Sequence, residues 1–178
     1  MKKYRPPLEL LIASTLLTLA TLGVHPVQAA NKACSFPMKS KSMTCIVSVS
    51  NGKLSMDRRT LRSVRFEKNG LAGGTVVTEG CFWLNKKGTI RKTHCFDNGP
   101  DYFVEGLARY IGADGKFGFM NEGLEIQIPA QFTFAFPFEE GKSRVCNGCT
   151  LKTEGEHSSY AGGDWFTIDK QGRKVVEP

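Results

Sequence analysis

The stretch Phe117-Gly118-Phe119-Met120-Asn121-Glu122-Gly123, FGFMNEG, has two relatives in the same chain: CFWLNKKG at 81–88 and WFTIDKQG at 165–172. Each opens on an aromatic residue or Cys, passes through a short, mostly apolar run, reaches Asn or Asp, and closes on Gly. Asn85-Lys86-Lys87-Gly88 and Asp169-Lys170-Gln171-Gly172 place an Asx side chain first and Gly fourth. That order predicts a type I turn whose fourth residue is left-handed, the three-residue hairpin with a bulge. Asn121-Glu122-Gly123 is one residue shorter, so a different turn is expected there.

A longer period frames these strings. Phe103-Val-Glu105-Gly106-Leu-Ala-Arg109 and Phe138-Glu-Glu140-Gly141-Lys-Ser-Arg144 share the pattern Phe-x-Glu-Gly-x-x-Arg at a spacing of 35 residues. A period of this size marks a repeat architecture, in which each unit hides its apolar face against a neighbour. The interval before Trp165 is longer than the one before Phe117, which places an insertion at 146–163, CNGCTLKTEGEHSSYAGG. Asn51-Gly52, Asn69-Gly70 and Asp114-Gly115 are further turn signals. The flanks Phe82-Trp83-Leu84 and Ile126-Gln127-Ile128 favour strands. Only Asp57 to Lys68 has a helical reading, and there Val64 and Phe66 alternate with Arg62 and Arg65 as a strand would. The expected class is all-β.

These residues resemble the bacterial WG-repeat, or KWG-repeat, family. The similarity is carried by Glu105-Gly106-Leu107-Ala108-Arg109, Lys116-Phe117-Gly118-Phe119-Met120-Asn121 and Ile126-Gln127-Ile128-Pro129. The third copy keeps Trp165, Asp169 and Gly172 but has Phe166 where the family has Gly, and the first has Cys81 where Trp is usual. The resemblance covers about residues 81–172. It implies tandem antiparallel β-hairpin repeats over 81–178; residues 30–80 fall outside the resemblance and are expected to form an N-terminal hairpin segment capping one end. It also implies binding or scaffolding, with no shared catalytic set.

The chain has 178 residues and a formal charge of +7. Lys2, Lys3 and Arg5 precede an apolar run from Leu8 to Leu22, and Val27 and Ala29 are small residues at a cleavage site. Residues 1–29 therefore read as a signal peptide. Its removal leaves a charge of about +5 on about 150 residues, enough for one domain with a core. The expected location is periplasmic or secreted, and the cleaved chain is expected not to be an integral membrane protein.

All six cysteines, Cys34, Cys45, Cys81, Cys95, Cys146 and Cys149, follow the leader, as in a disulfide-linked exported protein. Six cysteines allow 15 pairings. The local set is preferred: Cys34 with Cys45, Cys81 with Cys95, Cys146 with Cys149. If Asn85 pairs with Thr89, however, Cys81 faces Thr93, and Cys95 lies a diagonal step of ~7–8 Å away, so the second pair needs a longer turn or an extra bulge. Cys146-Asn147-Gly148-Cys149 reads first as a staple at the base of the inserted loop. Its rivals are a thiol-redox centre, which needs a helix after the first Cys, and a zinc site with His157, whose ligand set is incomplete.

Phe132, Phe134, Phe136 and Phe138 follow a period of two. Core filling is preferred over an exposed aromatic platform, and Pro137 argues against one continuous central strand. Basic residues gather at Arg58, Arg59, Arg62, Arg65 and Lys68, and again at Lys86, Lys87, Arg91 and Lys92. On one face they would dock an anionic surface; scattered, they would only protect sheet edges. Aromatics are not interleaved with them, which argues against specific nucleic-acid recognition. No serine-nucleophile elbow, His-Glu-x-x-His or phosphate-cradling Gly loop occurs, and no cofactor is expected. The leading function is non-catalytic binding or scaffolding of a protein or envelope component. A secreted enzyme inhibitor making contact through 146–163 is a further rival.

Overall fold

The computed structural model describes residues 29–41, 44–51, 53–155 and 157–176. The leader expected over 1–29 lies outside them, apart from Ala29. The first strands are β1 (Ala30–Ser35), β2 (Cys45–Ser50) and β3 (Lys53–Ser55), followed by a short helix, α1 (Arg58–Ser63). The chain continues through β4 (Leu71–Val76), β5 (Gly80–Asn85), β6 (Ile90–Thr93), β7 (Cys95–Phe96) and β8 (Gly99–Pro100). Then come β9 (Leu107–Ile111), β10 (Phe117–Asn121), β11 (Ile126–Phe132) and β12 (Phe134–Ala135), and finally β13 (Lys142–Asn147), β14 (Thr150–Glu154), β15 (His157–Ala161) and β16 (Asp164–Asp169). The fold is all-β and antiparallel.

Nine strands form one sheet in the order β11-β10-β9-β6-β5-β4-β1-β2-β3. It is three meanders laid edge to edge, joined where Cys34 pairs with Val76 and where Thr93 pairs with Tyr110. A second sheet, β12-β13-β16, carries the third copy of the repeat. Because β4 pairs along its length with β5, the meander of the first copy opens at Leu71 rather than at Cys81. Asn69-Gly70-Leu71-Ala72 thus stands where Glu105-Gly106-Leu107-Ala108 stands in the second copy. The inserted residues form the separate hairpin β14–β15, which leaves β13 free to pair with β16.

The Asx turns account for the recurrence of the strings. Asn85 Oδ1 accepts from Lys87 N and Thr89 N at 3.1 and 3.0 Å, and Gly88 takes φ 87°. Asp169 Oδ1 accepts from Gln171 N and Arg173 N at 3.0 and 2.9 Å, with Gly172 at φ 78°. The middle turn corrects the expectation of a different geometry. Asn121 Oδ1 accepts from Gly123 N and Glu125 N at 2.9 and 3.0 Å, so the turn has the same length and the same bonds. Its left-handed position belongs to Leu124, at φ 61°, and not to Gly123. Leu124 tolerates the strain because its side chain is buried with Leu71, Ala108, Tyr110 and Met120.

Residues 58–63 are helical, where strand alternation was expected. Asp57 caps the helix, accepting from Arg59 N and Thr60 N at 2.8 and 3.0 Å. The alternating Val64 and Phe66 lie just beyond it, and Val64 is buried and bridges to Met38.

The core between the two sheets is aromatic. Phe132, Phe134 and Phe138 are buried, and Phe138 meets Phe119 edge-on at 4.7 Å. Phe136 breaks the period-two series: it is 44% exposed, because β12 ends at Ala135 ahead of Pro137.

Candidate functional site

The Glu-Gly pairs are two-residue hairpin turns. Glu105 and Gly106 take φ 52° and 84°, and Glu140 and Gly141 take φ 50° and 76°. Positive φ at both central positions is the type I′ form, which matches strand twist. Glu105 also ties one copy to the next. Its carboxylate accepts from Gly141 N at 3.0 Å and pairs with Lys170 Nζ at 2.9 Å. These contacts hold the Glu105 carboxyl below the usual range, the Lys170 bond most of all. Between the first and second copies, Asn85 Nδ2 donates to Gly123 O at 3.2 Å and Arg91 Nε to Leu124 O at 3.3 Å. Turn therefore stacks on turn along one rim.

Gly118 has a steric cause. A Cβ there would lie 2.5 Å from Ile128 O and 2.6 Å from Tyr110 Cε1. Opposite it, β11 bulges: Phe117 pairs with Phe132 but Phe119 with Ile128. Tyr110 reaches under the bulge and accepts from Ala130 N at 2.7 Å. Phe117 is buried beside His94 and Phe134. Trp165 donates Nε1 to Gly162 O at 2.9 Å, and Arg144 lies 4.8 Å over its ring.

Disulfides join Cys34 with Cys45, Cys81 with Cys95 and Cys146 with Cys149. Cys81 does face Thr93, yet Cys95 lies only 5.2 Å from it between Cα atoms. The strand breaks at His94, whose carbonyl accepts from Asp101 N, and the bend folds Cys95 back. Cys146 lies within β13 and is sealed in the core with Cys149. The dipole-activated thiolate of a redox centre requires a helix N-terminus, and here the first Cys stands near the end of a strand and the second lies in the turn before β14. Among the described residues no group of three or more His, Cys, Asp or Glu is placed to hold a metal ion. The side chain of His157 lies outside the described residues.

The structure redistributes the two basic clusters. Lys39, Arg58, Arg62, Arg65 and Lys86 surround one hollow of about 920 Å³, floored by Leu61, Val64 and Phe66. All five cations are exposed, and among the described residues no carboxylate lines the hollow. Lys39 is drawn in by two bonds, its Nζ to Arg62 O at 2.7 Å and its backbone N to Ser63 O at 2.8 Å. Lys86 arrives because Leu61 packs against the Asn85 turn, where a Cβ on Gly88 would meet it at 3.3 Å. Lys92 and Arg91 instead line a different hollow together with Glu79, which also pairs with Lys32. Sequence reasoning names the Arg residues of α1; it misses Lys39, which no periodicity links to them.

Comparison with known proteins agrees with this architecture. The family model of the WG containing repeat matches residues 117–148, from β10 through the end of β13. The chain is thus an all-β protein carrying a WG-containing repeat over residues 117–148. No curated protein and no solved structure matches it.

Proposed function

We propose that this protein is an exported, non-catalytic binding module that docks an anionic component of the cell envelope through the basic hollow beside α1. The observation that carries the reading is the convergence of Lys39, Arg58, Arg62, Arg65 and Lys86 on one concavity whose lining, among the described residues, has no carboxylate. Cations held together in this way repel one another, and an anion relieves that repulsion while releasing counterions. The apolar floor adds contact for the non-polar part of an amphiphilic ligand. The first copy serves as a frame for α1: Leu61 packs on its Asn85 turn, and Lys39 and Arg65 bond segment 37–39 to the end of the helix. The leader expected over 1–29 and three disulfides suit an oxidising compartment outside the cytoplasm.

The reading is tested by titrating the protein with phosphatidylglycerol vesicles and with polyphosphate at several salt concentrations. Binding that weakens steeply with salt supports it. Absence of binding to either probe at low salt overturns it.

A further inference from the structure

A second hollow, of about 330 Å³, lies between the second and third copies and shares no residue with the basic one. Its rim holds three exposed aromatic rings, Phe96, Tyr102 and Phe136. Phe96 and Tyr102 stand edge-on to each other at 5.9 Å, and Phe136 stands edge-on to Phe134 at 5.1 Å. Burial of these rings in a core would be favourable, so their convergence on one concavity marks a place where another apolar surface fits.

The floor is polar but electrically closed. Arg109 and Asp101 line it, and their opposite charges offset each other across a two-pronged bond. His94 is the exception. Its ring lies beside Phe117 and Phe134 at 5.8 and 6.3 Å between centroids, and among the described residues neither ring nitrogen bonds to another protein group. Burial, with Arg109 nearby, pushes its imidazolium below the ordinary histidine range, so the neutral ring holds near pH 7. A half-buried neutral imidazole offers one donor and one acceptor at a fixed place.

We infer that this hollow binds a neutral aromatic ring carrying one hydroxyl or N–H, with the ring held among Phe134, Phe136, Phe96 and Tyr102 and its polar group bonded to His94. A charged ligand is disfavoured, because the Asp101–Arg109 pair leaves no net charge to meet it and the remaining walls are apolar. A sugar is disfavoured as well, since most of its several hydroxyls would face apolar walls. The ring has two sources, a free phenol or indole and a Tyr or Trp side chain borne on a peptide.

Calorimetric titration with p-cresol, toluene, benzoate and N-acetyltyrosinamide separates the cases. The expected result is that p-cresol binds about tenfold tighter than toluene, with benzoate weaker than p-cresol. His94→Phe should erase the difference between p-cresol and toluene while keeping toluene binding. Phe136→Ala, at an exposed position, should weaken both. Tighter binding of N-acetyltyrosinamide than of p-cresol assigns the site to a peptide-borne ring, and the reverse assigns it to a free small molecule. Failure of both phenols to bind, or equal affinity for p-cresol and toluene in the unaltered protein, overturns the inference. Circular dichroism of each variant confirms that it is folded, and Tyr102→Ala supplies a second rim variant.

Discussion

Arg109 grips Asp101 with two parallel hydrogen bonds, Nε to Oδ2 at 2.7 Å and Nη2 to Oδ1 at 2.8 Å, and both side chains are almost wholly buried. The remaining terminal nitrogen, Nη1, donates to Ala135 O at 2.9 Å. One guanidinium therefore links β9, the loop after β8 and β12, which is the joint between the two larger sheets. Removal of one partner strands a charge in the interior, so Asp101→Asn or Arg109→Met should each cost about 3–5 kcal/mol in urea unfolding. The double variant should cost less than the sum of the two.

Gly118 is required by space and not by backbone angle. Gly118→Ala should destabilise the fold by about 1–3 kcal/mol, because the methyl group meets backbone atoms of β11 that cannot swing aside. Tyr110→Phe, which removes only the hydroxyl that receives Ala130 N–H, should cost about 1–3 kcal/mol by leaving that donor without its partner. Unfolding midpoints of the two variants check both values.

Acid should loosen the joint between the second and third copies. The folded Glu105 carboxyl titrates below its unfolded value of 4.5. Its contribution is therefore present above that value and is lost as pH falls through the lower, folded one. Amide exchange at Gly141, measured relative to neighbouring amides as the solution is acidified, should accelerate in that window. Glu105→Gln should remove the pH dependence.

The disulfides differ in the length of chain they close. Cys81 and Cys95 stand 14 residues apart, and Cys146 and Cys149 only 3. Loop-closure entropy assigns about 3 kcal/mol to the first and about 2 kcal/mol to the second. Serine pairs at each site, compared by chemical denaturation, should follow that order.

The local parts of this fold are legible in the sequence because their causes are local. Asn85 and Asp169 announce their turns through bonds made within four residues, and Glu105-Gly106 announces a tight reversal. Leu124 hides its left-handed backbone because the compensation, burial under Tyr110 and Met120, is tertiary. The start of the first copy at Leu71 is obscured in a similar way. Gly73 and Gly74 replace Arg109 and Tyr110 there, and Gly74 yields its space to the Phe36 ring, which a Cβ would approach to 2.5 Å. Helix α1 is obscured by Val64 and Phe66, whose alternation belongs to the segment after the cap. The basic hollow depends on Lys39 and Lys86, residues far from α1 in the chain, which only the packing of Leu61 and the Met38–Val64 bridge bring to it.

The most direct measurement of the central claim is vesicle binding by a variant in which Arg58 and Lys86 are both replaced by Gln, compared with one, equal in net charge, in which Arg91 and Lys92 are so replaced. These side chains lie on different hollows. At low salt the first variant should lose most of its affinity for phosphatidylglycerol vesicles and polyphosphate, along with most of the salt dependence, while the second retains both. Equal losses in the two variants would mean that net charge alone drives attraction, and the basic hollow would then have no special part in binding.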